Sequence, residues 1–183
     1  MTAPAPSLLR VVVTGSECTG KTTLARELAA HFGTAWVPEQ SRVHAEAKAA
    51  PLTAADVEPI ARLTLEAEAR LAPAATGGLL VLDTDLASTV VYARHYYGAC
   101  PPWIEREARR RAPALYLLCH TDVPWADDGV RDRPHLREQM HALFHHELVS
   151  LGAPIVHVLG PHAERLAVAV AAVDGLRRPR AAG

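Results

Sequence analysis

Gly15-Ser16-Glu17-Cys18-Thr19-Gly20-Lys21-Thr22 decides how the rest of the chain is read. It meets the pattern G-x-x-x-x-G-K-[ST], a loop whose backbone amides wrap a polyphosphate. Each fixed position has a physical reason. Side chains at Gly15 and Gly20 would obstruct a backbone path so close to an anion. A helix starting near Gly20 aims its free amides and positive dipole end at the same anion. Lys21 is a cation with reach to the β- and γ-phosphates, and the Thr22 hydroxyl suits Mg²⁺. Ser16, Glu17, Cys18, Thr19 and Thr23 complete the stretch, which is expected to hold ATP with Mg²⁺. Cys18 reads as a small residue at a variable position, with a redox role as the lesser alternative. Lys21 and Lys48 are the only lysines in the chain, so a lysine at this point in the loop is hard to ascribe to composition.

Outward from the loop, strands alternate with helices. Residues 8–13 are a compact β-branched run and read as a buried strand, and residues 21–31 carry Leu24 and Leu28 at helical spacing. Residues 35–37, 79–82, 114–118 and 154–159 supply four further strands. Residues 39–49, 53–71, 85–97, 103–111, 135–151 and 162–177 read as helices, and Thr53 with Asp56 gives the second of these a cap-like start. The alternation predicts an α/β fold, a five-stranded parallel sheet covered by helices on both faces. Residues 1–183 read as one domain, with 1–7 as a flexible leader and the polar stretch 120–134 as a lid loop.

The composition agrees with a globular chain of 183 residues, nearly half of them hydrophobic. The 19 basic residues are balanced by 20 acidic ones, which disfavours broad attachment to nucleic acid or an anionic membrane. Three widely spaced cysteines form neither a disulfide framework nor a zinc pattern, and a reducing cytoplasm is expected. The start of the chain lacks the character of a signal peptide, and no apolar run approaches the roughly 20 residues of a membrane span. A small-molecule substrate is the expected partner; oligomeric state is left open.

In a parallel sheet, ligands gather at the carboxyl ends of strands. Asp83 and Asp85 follow an apolar strand there. One of them orients Mg²⁺ or accepts a proton from an attacking hydroxyl, or both cap the next helix. Glu39, with Arg42 three residues on, lies after the second strand. The pair either receives an acceptor molecule or forms a solvated first helical turn. Arg131 and Arg133 lie in the 120–134 loop and are candidates to neutralise charge on a transferred phosphoryl group. Trp125 in the same loop either stacks on a ligand ring or anchors the loop. Tyr92 and Tyr96 are at helical spacing and read as core residues that also suit the wall of an acceptor pocket. His141, His145 and His146 read as a helix-surface cluster, because the i, i+4 pair lacks the glutamate of a zinc-protease motif. Arg106, Arg109, Arg110 and Arg111 read as a solvated helix end.

Together the strings Thr14–Leu24, Val37–Arg42 (Val-Pro-Glu-Gln-Ser-Arg), Leu82-Asp83-Thr84-Asp85 and Trp125-Ala126-Asp127-Asp128-Gly129-Val130-Arg131 resemble a known family. It is the nicotinamide riboside kinase domain of the bifunctional NAD-biosynthesis regulators of bacteria. The resemblance runs through nearly the whole chain in order, and the Trp-x-Asp-Asp-Gly-x-Arg segment is its most specific part. It implies a P-loop nucleoside-kinase fold and transfer of the ATP γ-phosphate to the ribose 5′-hydroxyl of nicotinamide riboside. It favours Lys21 and Thr22 at ATP and Mg²⁺, Glu39, Arg42, Asp83 and Asp85 around the acceptor, and Arg131 in the closing loop. The chain departs from the family beside Glu39, where Pro38 and Gln40 replace the usual aromatic; Tyr92, Tyr96 or Trp125 would have to supply that ring. The length leaves no room for the family's adenylyltransferase or DNA-binding domains, so a stand-alone kinase is expected. Two alternatives remain: a kinase for another nucleoside or nucleotide, and an ATP-binding switch or ATPase acting through a protein partner.

Overall fold

A computed structural model describes residues 8–123 and 136–178. The strands are β1 (Leu9–Thr14), β2 (Trp36–Val37), β3 (Leu79–Asp83), β4 (Leu115–Cys119) and β5 (Ile155–Val158). All pair in parallel, in the order β2-β3-β1-β4-β5. The helices are α1 (Lys21–Phe32), α2 (Gln40–Lys48), α3 (Val57–Leu71), α4 (Leu86–Tyr97), α5 (Pro102–Arg110), α6 (Arg137–Leu151) and α7 (His162–Arg177). This is the expected α/β architecture. A single 3₁₀ turn, Ala54–Asp56, precedes α3, and Thr53 and Asp56 close the reciprocal cap predicted for this start.

Alternating side chains of each strand feed two cores. On one face Val11, Val13, Val81 and Leu117 pack with Leu24 and Leu28 of α1 and with Ala169 and Val173 of α7. On the other, Val12, Leu80, Leu82, Tyr116 and Leu118 meet Val91 of α4 and Phe144 and Leu148 of α6. A third cluster, with Ile104 and Val90 at its centre, joins α3, α4 and α5. At the amino end of the sheet, Glu68 of α3 is buried between two arginines. It accepts from Arg10 of β1 at 3.0 Å and from Arg111 at 2.6 Å. Arg111 therefore belongs to a partly buried ion network and not to the solvated helix end expected from the sequence.

The strand order places β1 between β3 and β4, whose connecting chains leave in opposite directions across the sheet. That is the switch point at which α/β sheets open a crevice beyond the strand carboxyl ends. The loop after β1 and Asp83 at the end of β3 meet there. Among the described residues, no helix is long and apolar enough to cross a membrane. The leader 1–7 and most of the 120–134 loop, including Trp125, Arg131 and Arg133, lie outside the described residues.

Candidate active site

The loop between β1 and α1 has the geometry its sequence requires. Gly15 adopts φ +135°, and a Cβ there would stand 2.7 Å from the Cys119 carbonyl oxygen. Glycine is thus needed twice over, for its backbone angle and for the close approach of β4. Cys18 and Gly20 also have positive φ, 52° and 79°. α1 starts without a side-chain cap, so its first-turn amides are left for an anion. Lys21 is 5 % exposed and donates from Nζ to the Ser16 carbonyl at 2.8 Å. The Thr19 hydroxyl donates to the same carbonyl at 2.9 Å. Ser16 Oγ is buried and has no partner among the described residues, as suits a hydroxyl that meets a phosphate oxygen. Thr22 and Thr23 occupy exposed positions in the first turn of α1.

Thr22 Oγ1 donates to Asp83 Oδ2 at 2.6 Å. The other oxygen, Oδ1, is buried with no hydrogen-bond partner among the described residues. Burial, and then the nearby Glu39 charge, push the Asp83 carboxyl up to about 6. A buried carboxylate with one oxygen unspent, beside a hydroxyl, is the hard-oxygen pair a Mg²⁺ ion takes when phosphates supply further ligands. The residues present therefore fit the ion that the loop implies.

Beside this pair lies a cavity of about 630 Å³, enclosed by α2, the start of α3 and α4. Glu17 of the phosphate loop and Thr84, which follows Asp83, belong to its wall, so it borders the phosphate site. Thr84 has φ +68°, a strained angle for a β-branched residue. Glu39 and Arg42 also line the cavity, with Glu39 Oε2 3.8 Å from Arg42 Nε and Oε1 accepting from Ser41 at 2.9 Å. Tyr92 and Tyr96 form an aromatic wall, stacked with centroids 5.9 Å apart. Tyr92 in turn packs edge-on against Phe144 of the core. Gln40 is turned away, its amide donating to the Pro38 carbonyl at 2.7 Å. The sequence-predicted residues Glu39, Arg42, Tyr92 and Tyr96 thus share one cavity.

Asp85 does not join them. Its carboxylate accepts from the Ala87 amide at 3.0 Å, which caps α4, and from the Tyr116 hydroxyl at 2.8 Å. Its charged neighbours are Glu68 and Arg10, at the far side of the site from Lys21. Of the two readings open for Asp83 and Asp85, the geometry divides them: Asp83 faces the phosphate loop and Asp85 is a helix cap. The reason is the break at Thr84, whose φ of +68° ends the strand between them, so the period-2 alternation that would leave residues i and i+2 on one side does not carry through to Asp85.

A protein-family model described as an AAA domain matches residues 10–165. The chain belongs to the AAA domain family. Among solved structures, the NadR protein in complex with NR superposes with a TM-score of 0.74 and 25 % identity. The match covers 96 % of this chain and 54 % of that one. The NadR protein in complex with NAD and AMP-PNP gives 0.74 and 23 %, over 96 % and 51 %. Thymidylate kinase from Ehrlichia chaffeensis gives 0.64 and 13 %, over 94 % and 100 %. The chain spans about half the length of the NadR chains it matches. No curated protein matches it in sequence. The AAA domain described here therefore has the P-loop kinase-like fold, and the resemblance read in its sequence meets a structural one.

Two arginines of this AAA domain escaped the sequence reading. Arg137, the first residue of α6, donates to the Cys18 carbonyl at 3.1 Å and to the Val123 carbonyl at 2.9 Å. Arg165, buried in the first turn of α7, donates to the Thr19 carbonyl at 3.0 Å and the Gly160 carbonyl at 2.8 Å, and pairs with Asp122. Both brace the outer side of the phosphate loop. The signal was available: a cation in the first turn of a helix opposes the dipole, so something must favour it there.

Proposed function

We propose that this chain is a Mg·ATP-dependent kinase that phosphorylates the ribose 5′-hydroxyl of nicotinamide riboside, giving nicotinamide mononucleotide. The observation that carries the reading is the cavity walled by Glu39, Arg42, Tyr92 and Tyr96 beside the Thr22–Asp83 pair. Its lining has three carboxylates, Glu17, Glu39 and Glu46, against one arginine. Nicotinamide riboside carries a cationic pyridinium ring, which acidic and aromatic walls favour over a neutral or anionic base. A nucleotide acceptor, with its own phosphate, would meet a mostly acidic surface among the described residues. The NadR protein crystallised with NR has the same fold over 96 % of this chain.

The step is in-line displacement. The acceptor oxygen bonds to the γ-phosphorus, the bond to the β–γ bridging oxygen breaks, and ADP leaves. The hydroxyl proton passes to a carboxylate, and Glu39 on the cavity wall is the group we assign to it. Lys21 and the α1 amides stabilise charge on the phosphates, and Thr22 with Asp83 would hold the ion. When bound, Mg²⁺ supplies neutralisation of the β- and γ-oxygens. Arg131 and Arg133 are proposed to act with Trp125 from the loop after β4.

The test is an acceptor panel. Purified protein is given Mg·ATP with nicotinamide riboside, cytidine, uridine, thymidine and thymidine monophosphate, and products are identified by mass. Preferential formation of nicotinamide mononucleotide supports the proposal; preference for any other acceptor replaces it. Lys21→Ala should lower kcat/KM by about 10³ or more, because it removes the cation at the transferred group. ATP hydrolysis that no acceptor stimulates would point instead to a partner-directed ATPase.

A further inference from the structure

Away from the phosphate site, three histidines from separate elements converge. His120 follows β4, His157 is in β5, and His141 is one turn into α6. One ring nitrogen from each lies within 4.8 Å of the other two. His120 Nε2 and His157 Nδ1 are 2.8 Å apart, and the His120 and His141 ring centroids are 4.4 Å apart. His141 Nδ1 is buried and has no hydrogen-bond partner among the described residues. The His141 ring donates a hydrogen bond to the Cys119 backbone carbonyl, the kind of outer contact that orients a metal-bound imidazole.

We propose that His120, His141 and His157 form a binding site for a transition-metal ion of the Zn²⁺ class, which fastens α6 to the β4–β5 edge. The chemistry selects the ion. Three imidazoles suit zinc, nickel or copper, whereas Mg²⁺ takes oxygen ligands, so this site and the Asp83 site draw on different metals. Zn–N bonds of about 2.1 Å at tetrahedral angles put ligand nitrogens roughly 3.4 Å apart. The 2.8 Å between His120 and His157 and the 4.8 Å limit on all three lie on either side of that value. His157 is exposed, which gives the ion an entry path. The fourth position falls to water or to His145, whose ring lies 5.4 Å from that of His157.

The i, i+4 pair on α6 looked like a surface feature because its partners come from strands far away in sequence. Here β5 is in register with β4, His157 opposite Leu118, two residues before His120. The ion would sit one helical turn after Arg137, which braces the phosphate loop.

The experiment titrates Zn²⁺ into untagged, chelator-treated protein without nucleotide, by calorimetry, with Co²⁺ absorbance as a second readout. We expect one ion per chain, a tetrahedral-type Co²⁺ spectrum and a higher Tm. His141→Ala and His157→Ala should each weaken binding at least about tenfold. His146→Ala, on the same helix outside the cluster, should leave it unchanged. Millimolar Mg²⁺ should not compete. Absence of saturable binding at one equivalent overturns the proposal. So does unchanged affinity in both cluster variants whose metal-free unfolding matches that of the parent protein.

Discussion

At the level of single residues, the two glycines of the phosphate loop differ in what they tolerate. Gly15 needs both its φ of +135° and the missing side chain, since a Cβ would strike the Cys119 carbonyl at 2.7 Å. Gly20 has φ +79° but open space around the position of a Cβ. Gly15→Ala should therefore cost on the order of 3 kcal/mol and abolish ATP binding, because β4 backbone has to move. Gly20→Ala should cost about 1 kcal/mol and keep measurable binding. Urea unfolding and ATP titration of the two variants check the ranking; equal penalties would refute it. The motif made these residues legible in the sequence, because backbone wrapping of phosphate constrains residue type position by position. The division of labour between Asp83 and Asp85 was not legible. It depends on Tyr116, whose hydroxyl reaches Asp85 from a strand thirty-one positions away.

At the level of elements, α4 carries two testable features. Its cap, Asp85, is half-buried, and desolvation of its carboxyl pushes it up to about 6 against the bonds from Tyr116 and Ala87. In the unfolded chain it titrates near its ordinary value of about 3.9. The folded state thus binds this proton more tightly. The stability it contributes is full below about pH 4 and is lost as pH rises through about 6. Asp85→Asn has no such titration. The stability of the parent protein relative to this variant should fall by on the order of 2–3 kcal/mol between about pH 4 and pH 7. Urea unfolding of both proteins across that window measures it, and a constant difference would contradict it. About two and three turns further on, Tyr92 and Tyr96 face the cavity. Tyr96→Ala should raise KM for nicotinamide riboside about tenfold with little change in kcat, as lost ring contact affects ground and transition states alike. A kcat effect as large as the KM effect would assign Tyr96 a part in the chemical step.

These elements were themselves legible. Apolar spacing located the strands and helices to within a residue or two, except the start of α3, which the 3₁₀ turn Ala54–Asp56 delays to Val57; the strands are legible because the sheet is buried on both faces and they must be continuous apolar runs. What periodicity does not carry is convergence. Glu39, Arg42 and the tyrosines become one cavity only through the packing of α2 and α3 against α4. Likewise, the histidine cluster arises from strand register. Arg137 and Arg165 point to the phosphate loop through carbonyl groups, which have no residue-type signature.

For the whole molecule, near-zero net charge conceals an uneven distribution. The basic groups Lys21, Arg137 and Arg165 gather about the phosphate loop, and the carboxylates Glu17, Glu39 and Glu46 line the neighbouring cavity. Donor and acceptor regions thus differ in sign within a few residues of one another. That arrangement suits an anionic triphosphate on one side and a cationic riboside on the other.

The cysteines extend this contrast to reagents. None is in a disulfide. Burial pushes the thiols of Cys100 and Cys119 up to about 11, and both are enclosed. Cys18 is half-exposed at the turn of the phosphate loop. Maleimide alkylation of the native protein should therefore modify Cys18 first, and Mg·ATP should slow that reaction by covering it. Peptide mapping of the labelled thiol, with and without nucleotide, reads this directly. The loop that defines the fold thus carries its own attachment point for a reporter of nucleotide occupancy.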